Sequence, residues 1–573
     1  MSAPLPLPAE LPETIRAPVS MPRVADAIAA LLWDLGVRQA FGLTGGAIGP
    51  LCESLDRGPI QMVHCRHEGG AAFAAAEASF ASNRPVAMFA TTGPGVTNAL
   101  TGLHAARWEG ARVVLISGAT NAAQRGRWAT QETSSYTSPA GLYSTGEVFN
   151  FAHVLEHPAE LEVVAARLAA GFARPGGFIA HVVIPISMQM QAGAPVKVPV
   201  VRATAPTCSP AELDEIAHDL DGSSVMLWVG YGARNASEEV RALADRLGCP
   251  VISSPRAKGI FPETHPQFLG VTGLGGSANV DQYLAEHRPE YMLVLGTRMG
   301  EPTSFWEKSF IPSKAFIHVD VDPSVFGSAY PTARTIAVHS EIREFTRGLL
   351  RRIEPRGHLR PVVRKTVEAH LTPRPGPVRP KLVLEAMQRL IVDGSDAVVL
   401  TESGNSFAWG NHTLRFDEPH RYRVSVGYGS MGHVTAGVVG TALARDGKAV
   451  ALVGDGSMLM NSEVSTAVRY GAQAVWIVLN DSLYGMVDAG MRAQGFKPSE
   501  TVLPLSDFSM IARGMGADGR VVTREEDVEP ALRAAMAAPG PFVVDVRVDP
   551  SEPGPWLKRI QNLILQGAKG SSK

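Results

Sequence analysis

Two apolar runs in the last third of the chain, Ala449–Val453 and Ala474–Leu479, constrain its fold more than any other feature. Each reads as a buried strand. Each ends in a turn that carries an aspartate, Gly454-Asp455-Gly456 after the first and Asn480-Asp481 after the second. A helical stretch from about Ser462 to Tyr470 fills the interval. The result is a strand–turn–helix–strand unit with one hard oxygen ligand at the C-terminal end of each strand. In an open α/β sheet those ends line the ligand crevice. Magnesium favours one or two carboxylates completed by phosphate oxygens and water. The N–H groups of a turn at a helix start suit a diphosphate. Gly-Asp-Gly alone is a serviceable turn anywhere; two strands and this spacing make it a metal–diphosphate clamp.

The same alternation runs through the rest of the chain. Residues 21–190 read as a helix over Val24–Leu35 followed by strands at Ala40–Leu43, Pro85–Thr91, Val113–Ser117 and His181–Ile184. A second block, 205–350, has strand candidates Val225–Val229, Tyr291–Leu295 and Ala315–Val319. Residues 355–380 are basic and proline-rich, as a long linker would be. The third block, 381–550, holds the clamp and a further strand at Ala397–Leu400. This pattern predicts an α/β fold of three doubly wound parallel-sheet domains with helices on both faces. Residues 1–20, with five prolines, read as a flexible arm and not a signal peptide. Residues 551–573 read as a C-terminal tail.

Composition excludes several classes. A net charge of −2 with no basic stripe argues against nucleic acid as a partner. No apolar run approaches the length of a membrane span. The four cysteines form no CxxC pair, which suits reduced thiols and a cytoplasmic location.

The stretch GDGSMLMNSEVSTAVRYGAQAVWIVLND resembles the signature of the thiamine diphosphate (ThDP)-dependent enzymes related to acetolactate synthase and benzoylformate decarboxylase. The resemblance implies that the three blocks are pyrimidine-binding, central and diphosphate-binding domains. It implies Mg²⁺ ligands at Asp455, Asp481 and the Leu483 carbonyl, with Gly456 and Ser457 beside the diphosphate. Many relatives have Asn where Asp481 stands. Thr401-Glu402-Ser403-Gly404-Asn405-Ser406 resembles the loop on the diphosphate's other side, which makes Gly404, Asn405 and Ser406 candidates. Gly429-Ser430-Met431-Gly432 resembles the segment that holds the pyrimidine. There the Gly429 carbonyl would accept from the 4′-amino group, and Met431 would wedge between the two rings. By itself Met431 would pass for ordinary core. Met486, in LNDSLYGMV, belongs to the same cofactor-contacting set. Glu68 opens a helix in RHEGGAAFAAAEASFA. A lone Glu there is usually a dipole partner; the resemblance makes it the catalytic carboxyl at N1′ of the aminopyrimidine. Thr92-Gly93-Pro94-Gly95-Val96-Thr97-Asn98 is expected as a backbone turn at the rim of the site.

Within that superfamily, Phe41–Ala47, Gln131-Glu132 and Gly485-Met486-Val487 look like acetolactate synthase segments, with Gln131 at its active-site glutamine. Departures are specific. Thr130 stands for a Phe, Gly490 for an acceptor-contacting Trp, and Leu43-Thr44 for Tyr-Pro. The segment Leu295–Glu301 lacks the aspartates of flavin-binding relatives, so the resemblance does not extend to FAD. His433 is also atypical and reads either as a second proton donor or as a packed histidine. The resemblance implies a homodimer or homotetramer with active sites shared between subunits. Its reaction would be decarboxylation of a 2-oxo acid, pyruvate-like, and ligation of the acyl anion to a carbonyl acceptor. The alternatives are a non-ligating decarboxylase or aldehyde lyase, and a ThDP-fold regulatory subunit; intact Glu68, Asp455 and Asp481 argue against the last. Thr130 and Gly490 together predict a wider acceptor pocket, unless the tail, with Trp556 and Leu557, folds back and refills it.

Overall fold

The computed structural model describes residues 22–133, 137, 139–202, 205–356, 362, 370–425 and 427–568. The arm expected at 1–20 lies outside the described residues, as do 357–361 and 363–369 of the expected linker.

Three six-stranded sheets organise the chain, and every strand pair in them is parallel. The first contains β1 (Gln39–Gly42), β2 (Gln61–His64), β3 (Val86–Ala90), β4 (Arg112–Ala119), β5 (Phe151–Val154) and β6 (Phe178–Pro185), in the order β2-β1-β3-β4-β6-β5. The central sheet contains β7 (Val225–Val229), β8 (Val251–Ser253), β9 (Phe268–Val271), β10 (Tyr291–Leu295), β11 (Ala315–Asp320) and β12 (Thr335–His339), ordered β12-β11-β10-β7-β8-β9. The third contains β13 (Val398–Thr401), β14 (Tyr422–Val424), β15 (Ala449–Gly454), β16 (Ala474–Asn480), β17 (Asp518–Val522) and β18 (Phe542–Arg547), ordered β14-β13-β15-β16-β18-β17. The first and third sheets thus share one topology, and the central sheet has another.

The inner strands are continuous apolar runs because helices cover both faces of each sheet. β3, β10 and β16 are buried at every residue. Several edge strands look different. β2, β5, β12 and β17 are half-exposed and carry Gln61, His153, Thr335 and Arg520.

The alanine-rich helix Glu68–Ser82 joins the first domain to the third. It is buried over nearly its whole circumference, as a helix that is apolar all round must be. Its partner is the helix His433–Arg445. A Cβ on Gly440 would lie 2.0 Å from the Ala74 carbonyl oxygen, so glycine at that crossing lets the two backbones touch. Small residues set the contact, and the first and third domains are fixed to each other through it.

Candidate functional site

The third sheet reverses its winding between β13 and β15, and such a switch point opens a crevice at the C-terminal strand ends. Gly404 ends the loop after β13 and caps the helix Asn405–Thr413, whose first residues are Asn405 and Ser406, while β15 runs into the short helix Asp455–Met458, which supplies Asp455, Gly456 and Ser457. β16, next along the sheet, delivers Asp481. Gly404 sits at φ +92°, where only glycine is at ease, and no atom lies within 4 Å of a Cβ built on it. A Cβ on Gly485 would meet Asn405 Nδ2 at 2.7 Å and Asp481 Oδ2 at 3.3 Å. Asn405 and Asp481 therefore converge on one point although they come from different strands.

Asp455 is buried and accepts the Gly456 N–H at 2.8 Å. Asp481 accepts the Leu483 N–H at 3.2 Å. Burial raises the Asp455 carboxyl above the usual carboxylate range. Burial, and then the charge of Asp455 beside it, push the Asp481 carboxyl up to about 7. Among the described residues no cationic side chain offsets this pair, and no three His, Cys, Asp or Glu side chains gather into a complete metal cage. Two uncompensated carboxylates that need further oxygen ligands match a Mg²⁺ bound jointly by protein and phosphate. Asn405 Oδ1 and Ser430 Oγ are buried without a partner, an arrangement that a polar ligand would satisfy.

The pyrimidine-type segment follows β14. Gly429 is at φ +66° and open at its Cβ position. Met431 is 40% exposed, so it stands out of the core in spite of its apolar side chain. Met486 is partly buried against the core of the third domain. His433, by contrast, is fully buried: its Nε2 donates to Glu77 Oε1 at 2.9 Å and its ring lies 4.8 Å from that of Phe73. Of the two roles open to it from the sequence, it is the packed histidine.

In the first domain Glu68 is 7% exposed at the start of its helix. His67 caps that helix, its Nδ1 accepting the Gly69 N–H at 3.0 Å. Asn98 Nδ2 donates to Glu68 Oε2 at 3.0 Å. Asn98 lies in the helix Pro94–Glu109, so the segment expected as a plain turn is a helix start that orients the carboxyl. Glu463, from the third domain, accepts the N–H groups of Arg66 and His67, each at 3.1 Å. Neither residue is visible as a partner in the sequence, because Glu463 and Arg66 are far apart along the chain. Gln131 is exposed at φ +55°, with Thr92 Oγ1 3.5 Å from its Oε1. Its neighbour Glu132 turns inward and accepts the N–H groups of Gly126 and Ala129.

Glu77, which binds His433, is nine residues beyond Glu68 on the same helix, about 13 Å along its axis. His433, which follows the segment Gly429–Met431, is therefore anchored about two and a half turns along that helix from Glu68.

Two further features border the site. In the central domain Gly232 N–H donates to the Gly296 carbonyl at 2.9 Å, bringing the loops after β7 and β10 into backbone contact. The Tyr231 ring beside them lies under the guanidinium groups of Arg234 and Arg256, at 4.7 and 4.1 Å. The helix Leu557–Ala568 docks on this domain: Lys558 pairs with Asp281 and Glu307, and Arg559, Asn562 and Gln566 all reach Glu301. The tail does fold back against Gly490, but through Leu563, whose Cδ1 lies 3.2 Å from a Cβ built there. Trp556 packs instead on the core of the third domain. Among the described residues no helix is long and apolar enough to cross a membrane.

Comparison with known proteins agrees with this architecture. Three family models match in succession: the N-terminal TPP binding domain of thiamine pyrophosphate enzymes over residues 22–138, their central domain over 220–349, and their C-terminal TPP binding domain over 402–546. The chain is 27% identical to the acetolactate synthase isozyme 1 large subunit of Escherichia coli over 544 residues, covering 92% of this chain and 94% of that one. It is 29% identical to the acetolactate synthase large subunit of Haemophilus influenzae over 561 residues, covering 92% and 95%. Among solved structures, a "putative thiamin diphosphate-dependent enzyme" of Mycobacterium smegmatis superposes with a TM-score of 0.78 at 21% identity, covering 92% of this chain and 99% of that one. That likeness is one of fold. Taken with the three domain matches and the two synthases, it makes this chain a thiamine diphosphate-dependent enzyme of the acetolactate synthase-like type.

Proposed function

We propose that the protein uses ThDP and Mg²⁺ to decarboxylate a pyruvate-like 2-oxo acid and to ligate the acyl group to a carbonyl acceptor. The observation that carries the metal assignment is the facing pair Asp455 and Asp481, uncompensated and beside the open Gly404 cradle. Asp455, Asp481 and the Leu483 carbonyl would hold the ion, with Gly456 and Ser457 on one side of the diphosphate and Gly404, Asn405 and Ser406 on the other. The Gly429 carbonyl and the exposed Met431 would hold the pyrimidine, with Met486 at the edge of the same cavity. When bound, the cofactor supplies a nucleophilic carbon that takes up the acyl group and stabilises the charge left by departing CO₂. Glu68, steadied by Asn98, exchanges a proton with N1′, a general acid–base role. Gln131 faces the substrate from the rim of the first domain.

The anchoring of His433 to Glu77, about 13 Å along the helix from Glu68, supports a homodimer, or a homotetramer built from such dimers, in which a second copy supplies the carboxyl. The synthase relatives, matched over nearly their whole length, favour ligation over simple decarboxylation. The direct test is incubation with ThDP, Mg²⁺ and a panel of 2-oxo acids, with and without aldehydes. CO₂ release with a product whose mass is that of the 2-oxo acid plus the acceptor less CO₂ supports the carboligase. Release of the free aldehyde alone would make it a non-ligating decarboxylase.

A further inference from the structure

We propose that Glu77 and Glu109, two buried carboxylates of the first domain, are positioning residues that set the shape of the segment Gly427–Gly432, and that His433 is the bond through which Glu77 acts. The proposal rests on the assignment of this segment to the pyrimidine half of the cofactor.

The two ends of the segment are tied to one carboxylate. Arg423, on β14 just before it, donates from Nε to Glu77 Oε2 at 2.9 Å and from a terminal nitrogen to Glu77 Oε1 at 2.8 Å. His433, immediately after it, donates to Glu77 Oε1 at 2.9 Å. All three side chains are almost wholly buried, with 7%, 2% and 0% exposure for Arg423, Glu77 and His433. Burial alone would raise the Glu77 carboxyl, but the charge of Arg423 and the bonds from His433 and Arg423 outweigh it, so the group is held ionised. A bidentate guanidinium pair fixes direction as well as distance.

The near end of the segment is tied to the same domain a second time. Gly427 N–H donates to Glu109 Oε1 at 3.0 Å, and the other Glu109 oxygen lies 2.9 Å from a guanidinium nitrogen of Arg256 in the central domain. A Cβ on Gly427 would collide with the Trp108 ring at 1.9 Å, so the backbone is pressed onto the helix Pro94–Glu109 as well as bonded to it. Behind the segment, Glu402 accepts the Val434 N–H at 3.0 Å and faces the Thr435 N–H at 3.3 Å, which fixes the helix that follows. Between these anchors Gly429 and Met431 stand open. The ends are rigid and the middle is free to receive a ring, which is how a site is preorganised from outside.

His433→Phe isolates the effect. Its ring can still lie against Phe73, but it cannot donate to Glu77; His433→Gln keeps a donor. Amide hydrogen exchange of the cofactor-free protein, read on the peptide covering Gly427–Gly432, should rise about tenfold in His433→Phe, the scale of one hydrogen bond to a charged group. It should stay near wild type in His433→Gln. The peptide at Asp455 should not change in either. With ThDP and Mg²⁺ added, calorimetry should show diphosphate-driven binding largely retained in His433→Phe, while deuterium exchange at the cofactor's C2 slows. The double variant Glu77→Met/Arg423→Met removes the carboxylate without stranding the guanidinium, and should loosen the same peptide. Equal exchange in wild type and His433→Phe, equal loosening in His433→Phe and His433→Gln, or a folded double variant with a wild-type peptide would overturn the proposal. Failure of the wild-type protein to bind ThDP would instead remove the cofactor assignment and leave the mechanical claim to the cofactor-free measurement.

Discussion

A Cβ placed on Gly490 would lie 3.2 Å from Leu563 Cδ1, so the C-terminal helix occupies the space that the absent side chain leaves. Gly490→Trp must push Leu563 and the helix Leu557–Ala568 away. Overpacking of this kind costs about 1–3 kcal/mol, and here it should appear as loss of helix docking, read by faster proteolysis within 557–568. Leu563→Ala should do the reverse and raise the share of bulky aldehydes in the ligated product, with pyruvate decarboxylation spared. A Gly490→Trp protein that keeps its tail protected, together with an unchanged product profile in Leu563→Ala, would contradict this account of the acceptor pocket.

Glu68→Gln should leave folding and diphosphate binding largely intact while slowing proton removal from C2. Acid–base roles of this sort are worth about 10²–10⁴-fold. Deuterium exchange at C2 of the bound cofactor measures the step without a substrate. Exchange at the wild-type rate would take Glu68 out of the mechanism.

The metal-free protein should lose stability as pH rises. The folded Asp481 carboxyl titrates near 7, above its ordinary value, so protonation favours the fold at low pH and the advantage disappears as pH climbs through that value. Asp481→Asn lacks the titrating group. In chelator its melting temperature should match wild type below about pH 4, exceed it increasingly up to about pH 7, and keep a constant lead above that. Mg²⁺ with ThDP should raise the wild-type melting temperature most at the higher pH, where both carboxylates are free to bind. A wild-type minus Asp481→Asn difference that stays constant across this range would rule out the coupled pair.

Much of the molecule is legible in the sequence, for reasons that are local. β3, β10, β15 and β16 are long apolar runs because both their faces are covered, and the aspartate turns follow directly from two of them. The edge strands escape notice. β17 exposes Asp518, Arg520 and Val521, and β14 is only three residues long, so neither prints a clear period. What pins the site is harder still to see. Glu77 with Arg423 and His433, Glu463 with Arg66, and Glu109 with Gly427 are partners from different domains. No pattern of spacing announces a bond between residues so far apart. Glu77 reads as one polar position in an alanine-rich helix until the third domain lies against it. The C-terminal helix is similar: its docking depends on where Glu301 and Asp281 are carried by the central sheet.

The clamp itself is tested most directly by calorimetric titration of ThDP into wild type, Asp455→Ala and Asp481→Asn, each with and without Mg²⁺. Wild type should bind only when the ion is present. Asp455→Ala should lose binding, because the diphosphate then faces the crevice without its bridging ion. Asp481→Asn should bind more weakly than wild type but measurably, since the amide keeps one oxygen ligand. Binding that ignores Mg²⁺, or equal loss in the two variants, would contradict a metal–diphosphate clamp built on Asp455 and Asp481.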